Sequence, residues 1–226
     1  LALAVLVLQP AAIVRDRSFF GVTEVLRPGG ADQTTLMNGT TVHGVQWVDP
    51  SKAQQPTAYY APSGPFGDVF AALRRDGQPK RVAIIGLGAG ALTAYLEPTW
   101  TMTYFEIDPL VAEVASDPRY FTFLSSASPR PDIVLGDARL SLIDVPDGRF
   151  DALFIDAFSS DSVPTHLLTR EAYALYARVV KPNGLVVTHI PNRYYDLAPA
   201  VAAALDVNGL SGAIRSYQPT PPEREA

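Results

Sequence analysis

Five short apolar runs between Arg81 and Ile190 constrain this chain more than any other feature. RVAIIG, MTYFEID, DIVLGD, FDALFID and GLVVTHI carry aliphatic or aromatic residues at consecutive rather than alternate positions, the pattern of a strand buried on both faces. Such strands need helices on both sides. Helical spacing fills the gaps at residues 91–96, 109–115, 169–180 and 197–205, the third opened by a Thr169 cap with Glu171 in its first turn. Alternation of this kind predicts an α/β fold, a Rossmann-like, parallel, doubly wound sheet.

The segment ahead of this rhythm reads differently. FFGVTEVL, TTLMNGTTV and HGVQWV alternate β-branched and aromatic residues around Gly29-Gly30 and Asn38-Gly39, which predicts a small N-terminal antiparallel β appendage. A proline-rich passage containing Tyr59 and Tyr60 follows, a linker or lid, and the spacing of Phe66, Val69, Phe70 and Leu73 predicts a short helix. The expected organisation is therefore an apolar segment over 1–16, a β domain with lid over 17–65, and a nucleoside-binding domain over 66–218. A polar tail over 219–226 reads as a truncated end, and AIRSYQ over 213–218 as a last strand.

LALAVLVL at the start of the chain, with Arg15 and Arg17 behind it, has two readings. It is the end of a membrane helix with a positive flank, or a buried element at the domain edge, since a run this short falls well below the roughly 20 residues that span a bilayer. The first reading implies a cytoplasmic domain tethered to the inner face of a membrane.

Composition excludes several chemistries. The net charge of −5 gives no basic footprint for nucleic acid, whereas a cationic substrate suits it. With no cysteine and three scattered histidines, disulfides, thiolate nucleophiles and a metal centre are not expected.

The ligand-binding residues stand at the strand ends. Gly86, Gly88 and Gly90 follow the first buried run, where glycine permits a tight turn and close approach of backbone N–H groups to a ligand; close helix–strand packing requires the same turn. Glu106 ends the next run roughly 20 residues on, where a carboxylate accepts from two ribose hydroxyls. That pair specifies a nucleoside without distinguishing a nicotinamide dinucleotide from an S-adenosylmethionine-type ligand. Asp108 reads as a helix cap. Asp137 and Ala138 end the third run, placed to read an adenine edge through a carboxylate and a backbone N–H, although Asp137 alone is equally an N-cap. Asp156 closes the fourth run at the reactive end of a bound nucleoside, suited to accept a proton from an amine, and Asp161 holds a second amine or caps a turn. His166 reads as a surface residue or as a proton shuttle beside Asp161.

GLGAG, YFEID, VLGDAR and IDAFSSD, together with the β appendage and the tyrosine passage, resemble the spermidine synthase (polyamine aminopropyltransferase) family, especially its membrane-fused branch. The resemblance implies an S-adenosylmethionine-dependent transferase sheet and a transferase moving an aminopropyl group from decarboxylated S-adenosylmethionine to a small amine. It implies Glu106 on the ribose, Asp137 and Ala138 on the adenine, Asp156 serving the attacking amine, Tyr59 and Tyr60 lining the channel, and Asp161 as a second acidic residue displaced by two positions. A homodimer is compatible with it. The family's aspartate in the glycine turn, which holds the amine of the donor, is Ala89 here, and of two expected glutamines one falls near Phe20 and the other is Tyr60. Methyl transfer from intact S-adenosylmethionine is therefore a second reading, and a nucleoside-sensing domain without catalysis a third.

Overall fold

The computed structural model describes residues 12–157, 164–190 and 195–218. Two sheets form. An antiparallel meander runs in the order β1-β2-β3-β4, with β1 Ala12–Ser18, β2 Gly21–Leu26, β3 Gln33–Asn38 and β4 Thr41–Trp47. A five-stranded parallel sheet has β5 Arg81–Ile85, β6 Thr101–Glu106, β7 Asp132–Leu135, β8 Phe150–Ile155 and β9 Val180–Thr188, ordered β7-β6-β5-β8-β9.

The larger sheet is the predicted doubly wound one. Each successive strand from β5 adds on one side until β7, and β8 then returns to the other side of β5, so the winding reverses between β5 and β8. Ligands in open α/β sheets bind beyond the carboxyl ends of the strands at this reversal. Continuous apolarity has a direct cause in the inner strands, whereas the edge strands β7 and β9 are not buried on both faces as expected, with Leu135 57% and Leu185 38% exposed, because each has a neighbour on one side only. Ile84, Met102, Tyr104 and Phe154 enter one core, while Ala83, Ile85, Leu153 and Ile155 enter the core on the opposite face.

Helices α1 Pro65–Arg74, α2 Pro109–Ser116, α5 Arg170–Val179 and α6 Ala198–Val207 match four sequence expectations, with the short turns α3 Phe123–Ser126 and α4 Ala138–Ser141 between them. The helix expected after the glycine turn is a 3-10 helix, Ala91–Tyr95, beyond which Leu96 is extended. On α1, Phe70 stacks at 4.5 Å on Tyr95 and at 5.0 Å on Phe154, fixing the tyrosine passage against the main sheet. Thr169 caps α5 by accepting from the Ala172 N–H, as read from the sequence.

Two further expectations differ, at Phe19 and Phe20 and over 213–218, and Arg15 and Arg17 gain a place in the fold. Phe19 and Phe20 form the β1–β2 turn rather than the start of a strand, because the Ser18↔Gly21 pair closes the hairpin around them; Phe19 is 95% exposed. Arg15 and Arg17, read as a positive flank, stand on β1 inside the small sheet, where Arg15 forms an ion pair with Glu24. AIRSYQ makes no strand. Arg215 reaches Asp68 at 3.0 Å and Tyr217 reaches Ser63 at 3.0 Å, so the segment is held by polar contacts to α1 and the loop before it, and Ile214 stays exposed. No helix among the described residues is long and apolar enough to cross a membrane, and Leu1–Leu8 lies outside them.

The appendage sits directly on the glycine turn. Val25 and Leu36 share a buried cluster with Ala89, Val114 and Phe121. The approach is close enough that a Cβ on Gly44 would stand 2.4 Å from the Ala89 Cβ, and one on Gly88 2.3 Å from the His43 carbonyl oxygen.

Candidate active site

A cavity of about 250 Å³ opens at the carboxyl ends of the central strands. Gly86, Gly88, Glu106, Asp137, Ala138 and Asp156 all line it, so six residues singled out in the sequence converge on one space. Gly90 and Ala89 stand behind the wall. Gly90 (φ +81°) starts the 3-10 helix against Leu124, and Ala89 is buried in the contact with the appendage. Asp161 lies outside the described residues.

At the winding reversal the chain packs backbone on backbone. The Gly86 N–H donates to Phe105 O, the Asp156 N–H donates to Ile85 O, and Gly86 adopts φ +95° with no room for a side chain: a Cβ there would lie 2.3 Å from Asp156 O. Gly86→Ala is therefore expected to lower the melting temperature, by the equivalent of about 1–3 kcal/mol of backbone strain, and to displace Asp156. Thermal unfolding measures the first effect; an unchanged melting temperature would show that the turn relaxes without cost.

Glu106 is fastened from both sides. Its Oε2 accepts the Leu87 N–H and its Oε1 the Asp108 N–H, each at 2.8 Å, and the residue is 7% exposed. Burial raises its carboxyl pKa, with the two N–H donors pulling the other way. Each oxygen keeps acceptor capacity towards the cavity. Asp108 caps α2 through the Leu110 N–H at 3.0 Å and also accepts from Ser18 Oγ at 2.6 Å, tying β1 to the main sheet.

Asp137 is the N-cap of α4 and also lines the cavity. Oδ1 accepts the Leu140 N–H at 3.1 Å as an N-cap, while the carboxylate also faces the cavity, where its Oδ2 is 3.4 Å from His166 Nε2. His166 thus joins the cavity through Asp137, on a wall of the site that the sequence did not assign to it.

Asp156 has the most ordered surroundings. Tyr60 donates its hydroxyl to Oδ2 at 2.5 Å, His189 Nδ1 lies 2.7 Å from Oδ1, and the Asp156 side chain is 6% exposed. Tyr59 stands one shell further out, donating to the Tyr60 hydroxyl at 3.2 Å and stacking on the His189 ring at 4.6 Å. Burial foremost, and then the Asp156 charge, raise both tyrosine pKa values, so both phenols stay protonated donors. The group is a carboxylate held by hydrogen-bond donors, and one that still reaches the cavity.

Sequence reading missed two histidines here. His189 follows β9, the neighbour of β8, and the rule that ligands gather at strand ends applies to it as well as to Asp156. His43 comes from β4 of the appendage, and only the packing of that sheet on the glycine turn brings it to the cavity. The lining also has a charge pattern that the linear sequence conceals. Among the described residues it contains Glu106, Asp108, Asp137 and Asp156 but no lysine or arginine.

Fold and strand-end acids together define an S-adenosylmethionine-dependent transferase type of scaffold with an acidic cavity at the winding reversal. A family described as S-adenosyl-L-methionine-dependent methyltransferase matches residues 109–214. The polyamine aminopropyltransferase of Vibrio vulnificus (strain CMCP6) is 31% identical over 170 residues, covering 72% of this chain and 53% of that protein. Putrescine N-methyltransferase 3 of Nicotiana tabacum is 31% identical over 115 residues, 49% of this chain and 30% of that protein. The crystal structure of spermidine synthase from Thermotoga maritima shares the fold with a TM-score of 0.60 at 18% identity, over 88% of this chain and 63% of that one. The chain spans about half the length of the Vibrio relative. The chain is similar to members of the spermidine synthase (polyamine aminopropyltransferase) family, as its motifs suggested.

Proposed function

We propose that this chain carries the donor-binding site of an aminopropyl transfer, with decarboxylated S-adenosylmethionine as donor and a small amine as acceptor. The observation that carries this reading is the Asp156 carboxylate, held by Tyr60 and His189 in a cavity lined by four carboxylates and, among the described residues, no lysine or arginine. A cationic donor and a cationic acceptor both suit that field, whereas the carboxylate of intact S-adenosylmethionine would meet no lysine or arginine among the described lining residues.

The residues divide the labour by position. Asp137 and the Ala138 N–H take the adenine, Glu106 takes the ribose hydroxyls, and the backbone at Gly86 and Gly88 lets the nucleoside lie against the turn. When bound, the donor supplies a carbon activated by its sulfonium; as the amine nitrogen bonds to it, the carbon–sulfur bond breaks and methylthioadenosine leaves. Asp156 accepts the proton from the amine, and Tyr60 and His189 fix the orientation of the carboxylate. Tyr59 supports both of these partners. Most of the acceleration comes from positioning and from the acidic field, since the leaving group is already activated.

Methyl transfer is the second reading, favoured by Ala89: the glycine turn presents no carboxylate to a tail amine. Product analysis separates the two. Incubation with a diamine and each donor in turn is expected to yield methylthioadenosine from the decarboxylated donor. S-adenosylhomocysteine as the only product would overturn aminopropyl transfer, and the absence of both products would favour a binding domain.

A further inference from the structure

His43 is a partly buried side chain with one buried ring nitrogen that the protein leaves unpaired. The residue is part of the cavity lining, and its Nε2 is buried with no hydrogen-bond partner. Native proteins rarely leave such atoms unpaired, and where they do the missing partner is commonly a ligand or water.

Its placement indicates what that partner is. The His43 carbonyl is packed on Gly88, so the residue stands over the glycine turn, and its ring lies within electrostatic reach of Asp156. With adenine at Asp137 and ribose at Glu106, the space between the glycine turn and Asp156 receives the donor's tail. Ala89 is turned into the appendage core against Gly44 and cannot contact that tail. Burial lowers the imidazole pKa, outweighing the upward pull of Asp156, and leaves the ring neutral with one nitrogen lone pair.

We propose that His43 Nε2 accepts a hydrogen bond from the amino group on the donor's tail, the contact that Ala89 does not provide. This inference rests on the donor-binding reading of the cavity. It makes the appendage a component of the site, because β4 supplies the group that recognises the tail. A neutral acceptor fits beside Asp156, since a second carboxylate that close would repel the first.

Calorimetric titration of the wild-type chain, His43→Phe and His43→Gln tests it, with decarboxylated S-adenosylmethionine, intact S-adenosylmethionine and methylthioadenosine as ligands. Methylthioadenosine has the nucleoside but no tail amine, and so reports whether a variant still folds and holds its cavity. His43→Phe is expected to bind the preferred tailed donor about 10- to 100-fold more weakly while methylthioadenosine affinity changes little. His43→Gln, whose amide oxygen can accept, is expected to recover part of the loss. Equal losses for tailed and tailless ligands, or none for either, overturn the assignment. The two tailed donors share the same amino nitrogen. A wild-type preference for the intact form would therefore remove the aminopropyl reading while His43 is still judged by the tailed-to-tailless difference. A tail that adds nothing to wild-type affinity overturns the His43 contact.

Discussion

Asp156→Asn is expected to slow methylthioadenosine release by about 10²- to 10⁴-fold, the range contributed by a positioned general base. The substitution preserves shape, so the Tyr60 hydroxyl can still donate to the amide oxygen in place of Oδ2. What disappears is the charge and the capacity to take a proton. His189, now 2.7 Å from an amide rather than a carboxylate oxygen, loses the acceptor that orients its Nδ1 proton. Methylthioadenosine affinity and melting temperature serve as controls, because the residues proposed for adenine and ribose stand at the ends of other strands. A variant that turns over at the wild-type rate with both controls intact would remove Asp156 from the chemistry. A Tyr60→Phe variant should show a much smaller defect, since it takes away one donor and leaves the base.

The strand-end acids were legible because each is set by local rules. A buried parallel strand is a continuous apolar run, its end is marked by glycine or an acid, and the winding order places these ends together. Glu106, Asp137 and Asp156 follow from that logic without any tertiary information. His43 does not, since its neighbours in sequence belong to a hairpin and its functional neighbours, Gly88 and Asp156, lie 45 and 113 positions further along the chain. The Tyr60 contact with Asp156 spans 96 residues and depends on α1 pressing the tyrosine passage onto the sheet. Arg15 and Arg17 were ambiguous for the opposite reason: a short apolar run followed by arginines fits both the flank of a membrane helix and a buried element at the domain edge, and the pairing of β1 with β2 places these two residues in the small sheet. Ala89 shows the limit of a motif. Its identity announced a missing carboxylate, but the Gly44 contact was needed to show that its side chain faces the appendage.

Glu106→Ala should weaken methylthioadenosine binding by about 10²- to 10⁴-fold, because a ribose diol loses two hydrogen bonds to a charged acceptor at about 1.5–3 kcal/mol each. Stability should fall as well. The Leu87 and Asp108 N–H groups both donate to this carboxylate, and leaving buried donors unsatisfied costs about 1–3 kcal/mol each. Glu106→Gln should be intermediate, since one amide oxygen remains and the NH₂ must oppose one of the two backbone donors. The pH dependence separates the structural from the binding role. Burial raises the carboxyl pKa of Glu106 above its unfolded value, so the folded ligand-free protein holds a proton there more strongly than the unfolded chain does. That contribution to stability is present at low pH and fades as pH rises through the raised value. Ribose binding has the opposite slope. The hydroxyls donate to the ionised form, so affinity should rise with pH through the same range, approaching a limit of about tenfold per pH unit on its acid side. In Glu106→Gln this component of the pH slope should vanish while weak binding persists. A variant that binds methylthioadenosine as tightly as the wild type would remove Glu106 from the ribose site.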